Sequence, residues 1–193
     1  MAKSTDIRSL IQASIDTKQL VINDSEFLKR IQASAELCIE AFKSDKKVLF
    51  CGNGGSAADA QHLAAELSGR FYTDRPPLYS EALHVNSSYV TAVANDYSYD
   101  IVYSRMVEAC GKTGDVLFAI STSGNSSNIL KAAETAHRLG MKVIAMTGES
   151  GGKLKDACDI LLNVPSKDTP RIQESHILIG HIICQLTEES LFG

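Results

Sequence analysis

In the run QHLAAEL, His62 and Glu66 stand four residues apart. On a helix that spacing puts both on one face, with Cβ atoms about 6 Å apart. An imidazole and a carboxylate so placed can hold a metal together or move a proton; an ordinary solvated contact between neighbouring turns has the same spacing. The setting adds to the interest, because the helix opens from the glycine-rich turn CGNGGSA at 51–57. A second turn of similar make, STSGNSSN at 121–128, follows the apolar run VLFAI. In each turn glycine allows close backbone approach, hydroxyl side chains offer donors, and the next helix presents unpaired N–H groups at the positive end of its dipole. An oxyanion or sugar hydroxyls could be held there without a lysine. The plain alternative is that Ser126 or Ser127 is a helix N-cap and the glycines only turn the chain.

A second histidine of interest lies in TPRIQESHILIGHIICQLTEESLF, residues 169–192. Thr169 reads as the N-cap and Pro170 as the first helical residue. Ile172, Leu178, Ile179, Ile182, Ile183 and Leu186 leave little room for a polar face, so Gln173 and His181 fall in a mostly buried helix, as satisfied core groups or as functional ones. Their eight-residue separation is about 12 Å along a straight helix, a long reach for one ion from one chain. His84 and His137 read as loop and surface residues, and His176 fits either face; none of the three is given a role. Gly52, Gly54 and Ala57 also satisfy the looser dinucleotide pattern GxGxxG/A. That pattern wants an acidic residue about 20 positions on, where Asp74 of SGRFYTDRPPLYSEAL falls in a loop-like stretch, and it leaves the serine-rich turn without a purpose.

These residues need a scaffold. KVLFCG at 47–52, DVLFAIS at 115–121, KVIAMTG at 142–148 and DILLNVP at 159–165 are short apolar runs, read as strands buried on both faces, and Leu78–Val85 supplies a further strand. Helices are expected at about 56–68, 87–94, 98–110, 126–139, 152–158 and 170–191. The alternation predicts an α/β fold: a doubly wound, parallel five-stranded sheet flanked by helices, with ligands beyond the carboxyl ends of the strands. Two extra amphipathic helices precede it within residues 1–45, one marked by Ile7, Leu10 and Ile11, the other by Phe27, Leu28, Ile31, Ala35, Cys38 and Phe42. Nothing in the sequence divides residues 1–193, so one domain is expected. The charge of −4, from 19 basic and 23 acidic residues, forms no basic stripe and argues against nucleic acid. No run approaches a membrane span, the start MAKSTDIRSL has no apolar core of a signal peptide, and the five cysteines show no CxxC pairing. A cytoplasmic protein with reduced thiols is the expectation.

CGNGGS with HxxxEL, AND at 94–96, STSGNS, TGESGG at 147–152 and RIQESH at 171–176 occur in one order, and in that combination the chain resembles the phosphoheptose isomerases of the sugar isomerase (SIS) family, from about residue 20 onward. The resemblance implies a flavodoxin-like SIS fold and conversion of sedoheptulose 7-phosphate to an aldoheptose phosphate through an enediol, toward heptose precursors of lipopolysaccharide core or another heptosylated glycan. It implies Glu66 as the base and His181 as the acid. It assigns one zinc ion per subunit to His62, Glu66, Gln173 and His181, and substrate contacts to Asn53, Gly54, Gly55, Glu66, Asn95, Asp96, Ser121, Thr122, Ser123, Ser126 and Gln173. A homotetramer with sites at subunit interfaces is implied as well. Similar isomerases sometimes carry Asp where Pro170 stands, so any contact of that Asp is missing here. The rival from another class is a non-catalytic SIS protein that binds a replication-initiator partner; such relatives lack the equivalents of Glu66 and His181, both present here.

Overall fold

A computed structural model describes residues 6–193; residues 1–5, which the sequence reading grouped with the N-terminal helices, lie outside the described residues. Helices α1 (Ile7–Asn23) and α2 (Ser25–Lys43) come first. They break at Asp24, whose carboxylate caps α2 by accepting from the Glu26 and Phe27 N–H groups, both at 3.0 Å, which satisfies donors that the first turn leaves orphaned. There follow β1 (Val48–Gly52), α3 (Gly55–Ser68), β2 (Ser80–Ala82), α4 (Ser87–Asp96), α5 (Val102–Cys110), β3 (Val116–Ile120), α6 (Ser127–Arg138), β4 (Lys142–Thr147), β5 (Ile160–Asn163) and α7 (Thr169–Phe192).

The five strands form one sheet in the order β2-β1-β3-β4-β5, every pairing parallel. Every residue of β1 and β3 is buried, as continuous apolar runs require when both faces are covered. Alternate side chains serve opposite faces. Val48, Phe50, Phe118, Ile144 and Met146 pack with α2, α3 and α7, while Leu49, Cys51, Leu117, Ala119 and Val143 pack with α4, α5 and α6. Across the central pair, Phe50 and Phe118 stack with centroids 4.7 Å apart. At the start of these two strands the Asp115 carboxylate, 1 % exposed, accepts from the Lys47 N–H at 3.1 Å, the Lys112 N–H at 2.7 Å and the Lys47 ammonium at 2.5 Å.

Several boundaries differ from the sequence reading. The expected strand over 78–85 shrinks to Ser80–Ala82, because it is an edge paired only with β1. The expected helix at 98–110 begins as a 3₁₀ turn, Tyr99–Ile101, and the one at 152–158 is wholly 3₁₀, Gly152–Asp156. Asp168, not Thr169, is the N-cap residue of α7. Ile7, Leu10 and Ile11 are helical as expected but 72 %, 48 % and 57 % exposed, so this apolar stripe is left uncovered within one chain.

His176 takes the buried side of α7. It is fully buried, its Nε2 lies 3.0 Å from the Thr147 carbonyl, and its Nδ1 has no partner among the described residues. Burial lowers its pKa from 6.5 to about 4, against a smaller opposing pull from that carbonyl. A depressed folded-state value means that the unfolded chain binds the proton first, so stability is fully present above pH 6.5 and is lost as pH falls toward 4. The melting temperature is therefore expected to drop over that window, and His176→Gln to flatten the slope. An unchanged slope in the variant would show that other groups cause it.

Candidate active site

The strand order reverses between β1 and β3, and ligands of open parallel sheets bind at that switch point, outside the carboxyl ends of the strands. The two glycine and serine turns follow those two strands. After β1, Gly54 adopts φ +56° and ψ −121°, a backbone region that glycine alone enters without strain. Asn53 turns toward the second loop, where Asn53 and Asn128 exchange two amide hydrogen bonds of 2.9 Å each, and the Tyr99 hydroxyl donates to the same Asn53 oxygen at 3.1 Å. The Tyr103 hydroxyl fixes the preceding turn by donating to the Gly52 carbonyl.

After β3, the Ser121 and Ser126 hydroxyls stand 3.0 Å apart, with Ser123 Oγ 3.5 Å from Ser121 Oγ. Ser126 is the N-cap position of α6, yet its side chain makes no capping bond and faces the other hydroxyls. The loop is pressed against the turn after β4: a Cβ on Gly124, at φ +66°, would lie 2.1 Å from the Gly151 carbonyl oxygen. A cavity of about 410 Å³ opens here, lined by Thr122, Ser123, Asn125, Glu149, Ser166, Lys167 and neighbouring residues. Its donors are hydroxyls, amides and the Lys167 ammonium, which is paired to Glu149 at 3.1 Å.

His62, Glu66 and His181 meet between α3 and α7. His62 Nε2 is 3.0 Å from Glu66 Oε1 and 3.4 Å from His181 Nε2, so residues far apart in the chain converge. All three donor atoms lie within 4.8 Å of one another. Two ligand atoms each about 2.0–2.1 Å from one tetrahedral zinc ion stand roughly 3.4 Å apart; the spacing and the two-imidazole, one-carboxylate donor set fit a divalent metal. Burial and the neighbouring His62 ring hold His181 below the usual imidazole range, while Glu66 pulls the other way. The His181 imidazole therefore favours its neutral form, suited to ligation or to proton exchange.

Gln173 sits eight residues before His181, at the start of α3 rather than beside His62. A Cβ on Gly55 would come within 2.5 Å of Gln173 Nε2, so the amide rests on the glycine backbone. The contacts Gly55–Gln173 and His62–His181 advance together along both helices, which thus run parallel, side by side. Within the apolar helix that the sequence reading expects, Gln173 and His181 are both half-buried; they line the seam between the helices. Asn95 and Asp96 lie at the exposed end of α4, bonded to each other at 2.9 Å. The sequence reading missed Tyr99 and Asn128, which tie the two loops, and Arg75 and Glu188, treated below.

The sheet order places a glycine-rich loop and a serine-rich loop at its switch point, and the SIS domain family matches residues 17–148. The chain is 52 % identical over 193 residues to the phosphoheptose isomerase of Mycobacterium tuberculosis, covering 100 % of this chain and 98 % of the relative. It is 51 % identical over 187 residues to that of Clostridium acetobutylicum, covering 97 % and 95 %. The solved phosphoheptose isomerase of Neisseria gonorrhoeae superposes with a TM-score of 0.89 at 44 % identity, over 95 % of this chain and 97 % of that one. The chain belongs to the phosphoheptose isomerase family of SIS-domain proteins.

Proposed function

We infer that the protein isomerises sedoheptulose 7-phosphate to D-glycero-D-manno-heptose 7-phosphate, the first step toward activated heptose precursors. One observation carries this: Glu66 and His181 meet over one seam, a short distance from loops built to hold a phosphate without lysines. From Gly55 to His62 the seam runs seven residues, about 10 Å along α3, a span that suits a sugar whose phosphate and carbonyl lie at opposite ends of a seven-carbon chain.

In this reading Ser121, Thr122, Ser123 and Ser126 hold the phosphate, and Asn53, Gly54, Gly55, Asn95, Asp96 and Gln173 contact the sugar. Glu66 takes a C1 proton of the ketose and returns it at C2, while His181 gives a proton to the C2 carbonyl oxygen as the enediol forms and takes the O1 hydroxyl proton back as the aldehyde forms. The fit of His62, Glu66 and His181 supports a zinc site; Gln173, the fourth donor by family resemblance, rests on Gly55, about 10 Å along α3 from His62, and is not a ligand of that ion within one chain. Zinc bound there would polarise the substrate carbonyl as a Lewis acid. We propose further that residues 1–193 act as one domain and that the exposed stripe of α1 packs in a homotetramer. No helix among the described residues is long and apolar enough to cross a membrane. Five free cysteines suit a reducing, cytoplasmic setting.

Incubation with sedoheptulose 7-phosphate in deuterated water tests the activity: an aldoheptose phosphate is expected, carrying deuterium at C2 only as far as the Glu66 proton exchanges with solvent before its return, and no product at all would sink the reading. Protein purified without chelator is expected to carry about one zinc per chain and to sediment as a tetramer. Metal-free protein of full activity would remove the zinc, and a monomer at micromolar concentration would remove the assembly.

A further inference from the structure

Arg75 and Glu188 lie outside the acid–base cluster, yet they join the two helices that carry it. Arg75 Nε is 2.9 Å from Glu188 Oε2, and the two side chains are only 2 % and 4 % exposed. The rest of the guanidinium gathers backbone carbonyls: those of Glu66 at 2.9 Å, Leu67 at 2.8 Å, Gly69 at 3.3 Å and Pro76 at 3.1 Å. Carbonyls 66 and 67 belong to the last turn of α3, which no helical N–H can satisfy. The Glu188 carboxylate in turn accepts from the N–H groups of Phe71, Tyr72 and Thr73 at 3.1, 2.8 and 2.9 Å. One ion pair therefore ties the end of α3, the segment 69–76 and α7 together.

A buried ion pair is a weak device for stability alone, because an apolar pair of similar volume often serves a fold as well or better. An apolar pair cannot aim seven backbone groups. Among the aimed groups is the peptide of Glu66 itself. Phe71, fixed by Glu188, sets its ring 5.7 Å from that of His181, and Glu188 follows His181 by seven residues, two turns down one face of α7. Toward the other end, a Cβ on Gly180 would fall 2.5 Å from the Leu63 side chain, so the helices touch there as closely as they can. Glu66 and His181 lie between that contact and the ion pair, and His62 adjoins the contact through Leu63.

We propose that Arg75 and Glu188 are positioning residues for isomerisation, forming a clamp that fixes the separation and rotation of α3 and α7 and thereby the geometry of the His62–Glu66–His181 cluster. The inference rests on the isomerase reading for its kinetic consequence, but not for its structural one.

The test is the double variant Arg75→Leu/Glu188→Leu, which removes both charges and leaves neither unpaired, beside Glu188→Gln, which keeps an acceptor oxygen for the loop. Cooperative melting is expected to persist, with kcat lowered at least about 10-fold and KM changed less than about threefold, since small misplacements weigh on the chemical step. In chelator-treated protein the imidazole ¹⁵N resonances of His62 and His181 are expected to move, while those of His84 and His137 stay. Should the double variant not fold, Glu188→Gln carries the same readings. A folded variant with kcat within about twofold of wild type overturns the clamp, whatever the spectra show. If wild type itself is inert toward the sugar, the isomerase reading fails and the spectra alone decide: shifted His62 and His181 signals uphold the clamp, and unshifted ones remove it.

Discussion

Glu66→Gln is expected to lower kcat by about 10² to 10⁴-fold, the usual worth of a positioned general base, with little change in KM. The carboxamide has the size and shape of the carboxylate and can still meet His62, whose Nε2 lies 3.0 Å from Glu66 Oε1, but it cannot accept the C1 proton. The fold should be indifferent, since Glu66 is half-buried on the seam and not in the core. His181→Ala should resemble it in turnover, because it removes the acid without opening a core cavity. Steady-state rates with sedoheptulose 7-phosphate, taken with a melting curve, decide the matter. Glu66→Gln turning over at the wild-type rate would relocate the base and undo the proposed chemistry.

Asp115→Ala is expected to cost about 3 to 5 kcal/mol of stability, because it strands a buried ammonium. Asp115 is 1 % exposed and its carboxylate serves the Lys47 ammonium, the Lys47 N–H and the Lys112 N–H at the origin of the two central strands. Alanine leaves all three without that acceptor. For a chain of this length the loss corresponds to a fall in melting temperature of roughly 6 to 20 °C. Lys47→Met with Asp115→Leu should recover much of it by removing the charges together. An Asp115→Ala protein melting within a degree or two of wild type would show that water reaches this end of the sheet.

The strands were legible because residues such as Val48, Leu49, Phe50 and Cys51 are buried on both faces, which leaves an unbroken apolar run in the sequence. The HxxxE pair was legible because helical spacing puts the two side chains together without tertiary information. The meeting of His62 with His181 depends on how α3 and α7 pack, and no local pattern encodes it; the family resemblance supplied it. Arg75 and Glu188 were illegible for the opposite reason. Charged residues in a proline-containing loop and in the run TEES read as solvated, and only the fold shows seven backbone groups converging on them. The short β2 and the 3₁₀ turns escaped because edge pairing and loop packing, not periodicity, set their limits. The stripe of Ile7, Leu10 and Ile11 was correctly seen as one face of a helix, but a single chain's periodicity does not say what covers it.

Because α7 follows every strand in chain order, a ribosome releases the whole sheet before the helix that shields one side of it. Until then the core that Ile172, Ile179 and Ile183 complete, which includes Leu63 and Phe118, lacks its covering helix. Nascent chains stalled before residue 169 should therefore be chaperone clients and should hold no proton-transfer pair. Synthesis thus delivers activity and solubility in the same final step.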